Sequence, residues 1–343
     1  MLLRGVLSAV CSERDFTGIT IRKDKSFYCT EACNGSTYMT DKLKADLSLL
    51  IITVVWGASF PLIKVVLGYI PAFAYLSLRF LLAAAVLAAI YHRNLKKINK
   101  RALKYGCILG LFMFGGMAFQ VVGLYTTSAS NSGFITGLNV VIVPIVSALL
   151  LKKKPDRAAF AGVIVAFAGI FFMSGGLKFD FNIGDLLTFI CAICWAFQIV
   201  FIDRFTQYED APLLAILQLL FTGLASSVLW LVVDIGKPME FNATVAVILL
   251  ITAVFGSSLA YGVQTIAQQY TTPVHTSLIF TAEPVFALVF ALIIPNADGV
   301  RESLTLMKIA GCLLILAGMI VSELRVGRGK DSTECDGRIS NGV

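Results

Sequence analysis

Residues 46–68 read DLSLLIITVVWGASFPLIKVVLG, a run whose only charges are Asp46 and Lys64. A helix rises about 1.5 Å per residue, so about 20 such residues cross a hydrocarbon core about 30 Å thick. The same rule picks out nine further segments, at 72–92, 104–124, 129–151, 157–176, 184–205, 211–233, 243–267, 274–295 and 302–323. The connections between them are short and carry Pro, Gly, Asn and Asp, the usual turn residues. Nothing between residues 46 and 323 is long enough for a soluble domain, so the reading is an all-α membrane protein of ten transmembrane helices.

Composition agrees. The chain has 343 residues, of which 57% are apolar and only 14% charged, against about 25% charged in ordinary soluble proteins. So few charges cannot coat so much apolar surface in water, which excludes a soluble enzyme and a disordered chain. Net charge is +7, but the basic residues cluster between apolar runs. That pattern suits loops facing anionic lipid, so the bilayer is the expected partner and nucleic acid is not.

The basic residues also predict orientation. The connection between spans two and three holds Arg93, Lys96, Lys97, Lys100, Arg101 and Lys104, and the one after span four holds Lys152, Lys153, Lys154 and Arg157. The 1–2 and 3–4 connections hold none. By the positive-inside rule both termini face the cytoplasm, in a plasma (inner) membrane. Residues 1–45 are read as a polar, disordered cytoplasmic tail, and 324–343 as a second polar tail. Within the first, Met39 opens the lead MTDKLKAD directly before span one, and residues 1–38 are read as an extension from an upstream start codon.

Eight cysteines do not make a disulfide framework here. Cys107, Cys191, Cys194 and Cys312 fall inside apolar segments, where cysteine serves as a small packing residue. The two histidines, His92 and His275, lie far apart in sequence. No four-ligand zinc set is visible, and neither a metal nor a cofactor is expected.

The chain repeats itself. Trp56 and Arg79 align with Trp195 and Gln218, Tyr125-Thr126-Thr127 with Tyr270-Thr271-Thr272, and Gly162 and Gly169 with Gly311 and Gly318. With five spans per copy, 46–176 and 184–323, the second copy must enter the membrane upside down. Two inverted five-helix repeats place a substrate cavity between them near the midplane.

Several motifs point to a family. Trp56-Gly57-Ala58-Ser59-Phe60 with Lys64, then Arg79-Phe80, Tyr125 to Ala129 and Glu283-Pro284-Val285-Phe286-Ala287 occur in an order that resembles the drug/metabolite transporter superfamily, EamA-type. The paired glycines of spans five and ten add to the resemblance, which covers roughly residues 46–323. It implies a ten-helix transporter of small organic solutes, commonly an exporter, with two repeats around a central cavity. One departure is Lys152-Lys153-Lys154-Pro155, where many such proteins carry an acidic residue.

An ionisable side chain deep in a span costs at least about 2.5–3.5 kcal/mol, which makes it a functional candidate. Arg79 lies roughly 12 Å from the outer face and Glu283 roughly 13 Å from the inner one, so the two are expected near one height and able to pair. Each can equally well satisfy a local helix break. Glu283 precedes Pro284, which removes a backbone donor and leaves a carbonyl near residue 280 free. A carboxyl there can bind a cation or exchange a proton, and His275 is a second proton-coupling candidate that is read as interfacial. Lys64 is read as reaching the headgroups.

Trp56 and Trp195 fall near mid-span, away from the interface belts where tryptophan concentrates. They are candidate cavity walls for flat or cationic solutes, or else packing residues. Asn139, Gln198, Tyr261, Gln264 and Gln268 supply polar groups that either meet substrate or tie helices together. Pro61, Pro144 and Pro284 are candidate breaks.

The functional expectation is a secondary transporter moving a small-molecule substrate, either a metabolite, an amino acid or a drug, by alternating access. It is not expected to be an enzyme. No G-x-x-x-x-G-K-[ST] loop provides for ATP. A nucleotide-sugar or sugar-phosphate carrier of the same superfamily, an intramembrane enzyme and a non-transporting sensor are the alternatives, and a homodimer is left open.

Overall fold

The computed structural model describes residues 35–152, 157–173, 182–294 and 303–323. The tail up to residue 34, Lys153, Lys154 and Pro155, and the C-terminal tail lie outside them. All the regular structure among the described residues is helical. Eight helices are long and apolar enough to cross a membrane, and two shorter apolar ones are Arg157–Phe172 and Leu306–Val321.

In chain order, α1 is Gly35–Val66, α2 Ala72–Ile90 and α3 Lys100–Gly123. The segment read as span four is two helices, α4 (Ala129–Gly137) and α5 (Asn139–Leu151), interrupted at Leu138. Then come α6 (Arg157–Met173), α7 (Ile183–Phe205) and α8 (Ala211–Leu229). The segment read as span eight is α9 (Ala243–Ala253), a π-helical stretch at Val254–Leu259, and α10 (Ala260–Ala267). The segment read as span nine is again broken, into α11 (Pro273–Phe280) and α12 (Glu283–Ile293), and α13 is Leu306–Glu323.

Polar caps set the helix starts. Asn99 accepts hydrogen bonds from Arg101 N and Ala102 N, Asn182 and Asp185 form a reciprocal capping box, and Asp210 accepts from Leu213 N ahead of α8. Three sequence expectations need correction. The first helix begins at Gly35, ahead of the tail boundary placed at residue 45, because GSTYMTDKLKAD continues the helical register without a Pro or Gly stop. Pro61 stands inside unbroken α1, and Pro144 stands inside α5, six residues past the interruption. Pro284 does stand at a break.

The two halves of the chain interlock. α2 and α3 pack on α8, α3 on α7, α1 on α12, and α6 on α13. The α6–α13 contact depends on the paired glycines. A Cβ on Gly169 would stand 2.7 Å from the Gly311 carbonyl oxygen, and one on Gly318 would stand 2.7 Å from that of Gly162. Without a side chain at either place, the two backbones meet directly.

Candidate functional site

A cavity opens where α1, α2, α3, α7 and α10 approach the broken helices. Seven of the eight side chains proposed for substrate line it: Trp56, Arg79, Asn139, Trp195, Tyr261, Gln264 and Glu283. Its apolar wall is aromatic. Trp56 lies 5.2 Å from the Tyr261 ring and 5.0 Å edge-on from Phe280, and Trp195 stacks on Tyr261 at 5.9 Å. Such spacings suit both ring–ring packing and a flat or cationic guest.

The π-helical stretch shapes the polar side. Its looser winding shifts the regular backbone pairing. The Gly256 carbonyl accepts from Trp56 Nε1 at 3.0 Å and from Arg79 Nη2 at 3.3 Å. Arg79 Nε donates to Ser257 Oγ at 2.7 Å, and Nη1 donates to Tyr75 Oη at 3.3 Å. Tyr75 in turn donates to Thr252 Oγ1 at 3.0 Å, and Thr252 donates to the Ile248 carbonyl. The guanidinium also lies 5.3 Å from the Phe80 ring centre. A fully buried cation thus stands on oxygens and a ring face.

This corrects the expected pairing with Glu283. Arg79 and Glu283 line one cavity but form no ion pair, because α2 packs against the π-helical stretch and its oxygens meet the guanidinium first. Equal depth fixes height in a bundle and leaves the angular position open. Glu283 is half-buried, sits at the first turn of α12, and makes no hydrogen bond or ion pair with any described residue.

Gln198 does not line the cavity. It belongs to a buried amide ladder in which its Nε2 donates to Gln218 Oε1 and its Oε1 accepts from Gln264 Nε2, both at 3.1 Å. Gln268 binds the Ile199 carbonyl and also ties helices. His275 is buried, with Nε2 3.4 Å from Asp46 Oδ2, outside the cavity. Lys64 does not reach for headgroups alone; it donates to the Thr127 carbonyl at 2.8 Å. Cys191 and Cys194 are both free thiols. No His/Cys/Asp/Glu group among the described residues is arranged to hold a metal.

The sequence reading passed over Gln120 and Thr136, which line the cavity and face each other at 3.4 Å. Gln120 was visible by the rule that found Gln264, an amide within an apolar run. Phe280 and Ser59 carry no such mark.

The sequence matches the EamA-like transporter family twice, at residues 43–175 and 182–324. A relative described as an uncharacterized transporter from Archaeoglobus fulgidus is 34% identical over 83% of this chain and 87% of its own length. A probable amino-acid metabolite efflux pump of Salmonella typhimurium is 25% identical over 80% of this chain and 92% of its own. A crystal structure at 19% identity superposes with a TM-score of 0.66, covering 84% of this chain and 99% of that one, which supports the helical fold. The paired matches cover most of the chain and the Archaeoglobus relative spans nearly all of it, so this multi-pass membrane protein belongs to the EamA-like transporter family.

Proposed function

We propose that this transporter exports a small organic solute, an amino acid or a related metabolite, by alternating access around the aromatic cavity. The observation that carries the reading is convergence: side chains from both family-matched segments meet at one cavity, where Glu283 makes no hydrogen bond or ion pair with any described residue. The name of the Salmonella relative favours amino-acid metabolites as the substrate class.

The proposed architecture is ten spans in two inverted repeats of five, with residues 324–343 outside them. The double family match and the interruptions at Leu138 and at Thr281–Ala282, similarly placed in each copy, support it. Discontinuous helices beside a midplane site are a recurring device of inverted-repeat carriers. The proposed location is the plasma membrane with cytoplasmic termini, supported by the basic α2–α3 connection.

Glu283 is the proposed coupling group, exchanging a proton for a cationic solute, while His275 stands apart with Asp46. Proteoliposomes holding the purified chain should release particular amino acids faster than protein-free liposomes. Glu283→Gln is expected to lower that release at least tenfold and flatten its pH dependence. Release equal to that of empty liposomes for every amino acid and metabolite tried would overturn the reading.

A further inference from the structure

We propose that the cavity recognises its solute by a primary ammonium group, held between the Glu283 carboxylate and the side-chain carbonyl of Gln264, with Asn139 as a third acceptor. This deepens the transport reading and rests on it. The key evidence is the direction of the amide ladder.

Thr265 Oγ1 stands 2.7 Å from the Tyr261 carbonyl, which can only accept. The hydroxyl therefore spends its one proton there. Its contact with the Gln218 amide, at 3.1 Å, must then run from Gln218 Nε2. That turns Gln218 Oε1 toward Gln198, whose Nε2 donates to it at 3.1 Å. Gln198 Oε1 is left facing Gln264 Nε2, again at 3.1 Å. Reversing any one amide would set two N–H groups, or two oxygens, against each other.

The ladder thus ends with a fixed sense: the Gln264 carbonyl is its free end. Gln264 lines the cavity and is 1% exposed, and its Oε1 has no hydrogen-bond partner. Asn139 opens α5, is 4% exposed, and likewise has an unpartnered Oδ1. Glu283 opens α12 on the same cavity. Three elements therefore deliver oxygens to one space, and one of them is a carboxyl group. Arg79, the cation of that cavity, has each of its nitrogens engaged by Ser257, Tyr75 or Gly256.

A buried acceptor without a donor costs about 1–3 kcal/mol, more when it is charged. A guest bringing N–H donors and one positive charge meets both demands together. A bare metal ion fits less well, since cations of that kind take six or more oxygens and no His/Cys/Asp/Glu group among the described residues is arranged to hold one. The rings of Trp56, Trp195 and Tyr261 suit the apolar body attached to an ammonium head.

The test uses the full chain in nanodiscs, with binding followed by calorimetry and by the fluorescence of Trp56 and Trp195. The probes are 2-phenylethylamine, 2-phenylethanol and 3-phenylpropanoate, which share a ring and differ in the head. The amine is expected to bind at least tenfold more tightly than either isostere. Glu283→Gln and Gln264→Leu are each expected to weaken it at least tenfold. Because Glu283 makes no hydrogen bond or ion pair with any described residue, Glu283→Gln tests the site even if Gln264→Leu fails to fold.

Equal or tighter binding of the carboxylate, amine affinity within twofold in Glu283→Gln, or heat release with sodium chloride alone and none with the amine would each overturn the proposal. Liposome flux separates the two readings. Amine binding that needs Glu283, with no flux of any solute, retains the ammonium site and removes transport. Flux of neutral or anionic solutes without amine binding retains transport and removes the ammonium site.

Discussion

Arg79 and Gln218 stand equally far, 36 residues, from the starts of the two family-matched segments at 43 and 182, and both lean on the segment that runs from α9 to α10. They do so at different heights and with different chemistry. Arg79 meets the π-helical stretch, where the Gly256 carbonyl and the Ser257 hydroxyl can carry a charge. Gln218 meets regular helix at Thr265, where only a neutral side chain finds partners. Duplication supplied two like positions; the local backbone decided which could hold a cation. One faces the cavity, and the other anchors the ladder that borders it.

Four substitutions test this contrast, from the largest expected effect to the smallest. Gln218→Arg puts a charge where no acidic partner or freed carbonyl stands. An uncompensated buried charge typically costs about 3–5 kcal/mol, so the purified variant should unfold at much lower temperature or fail to accumulate. Normal melting would show that the second position tolerates a cation and that the contrast is false. Arg79→Ala leaves Ser257 and Gly256 with fewer donors, at about 1–3 kcal/mol for each buried group left unpaired. Flux should vanish as well, and a variant that melts low yet transports at the parental rate would make Arg79 purely structural.

Gln218→Leu removes the middle of the ladder, with an expected loss of about 1–3 kcal/mol. Its transport should fall less than that of Arg79→Ala, because Glu283 and the aromatic wall remain; an equal loss would argue that the two positions do one task. Trp56→Phe keeps the ring contacts but loses the hydrogen bond to Gly256. The expected cost is about 1 kcal/mol, near the mean for a single hydrogen bond. A larger drop in melting temperature would mean that Trp56 helps to set the π-helical stretch.

The sequence made some of this legible for plain reasons. Membrane spans show as long apolar runs, and a polar or aromatic side chain inside such a run stands out, which is how Arg79, Asn139, Gln264 and Glu283 were found. The π-helical stretch left no comparable mark. Gly256-Ser257-Ser258 are small residues of an ordinary apolar span, and a change in helical winding alters no composition. Yet that stretch receives Arg79 and Trp56, so the true partners of both were hidden. Gln198 shows the complementary limit: an amide in a span is visible, but whether it faces a cavity or another amide depends on the helix's rotation about its axis. Depth along the chain gives height; the neighbours are set by packing.

The seam between α6 and α13 constrains how this bundle can rearrange. Each helix rests a glycine on the other's backbone, with Ile315 and Ala166 packed alongside, so the fit leaves little room for sliding. A shift of one residue would carry a Cβ to a place where only a hydrogen now fits. This pair is therefore tied together like a welded beam, and the rocking that the proposed transport calls for would fall to the interruptions beside Asn139 and Glu283.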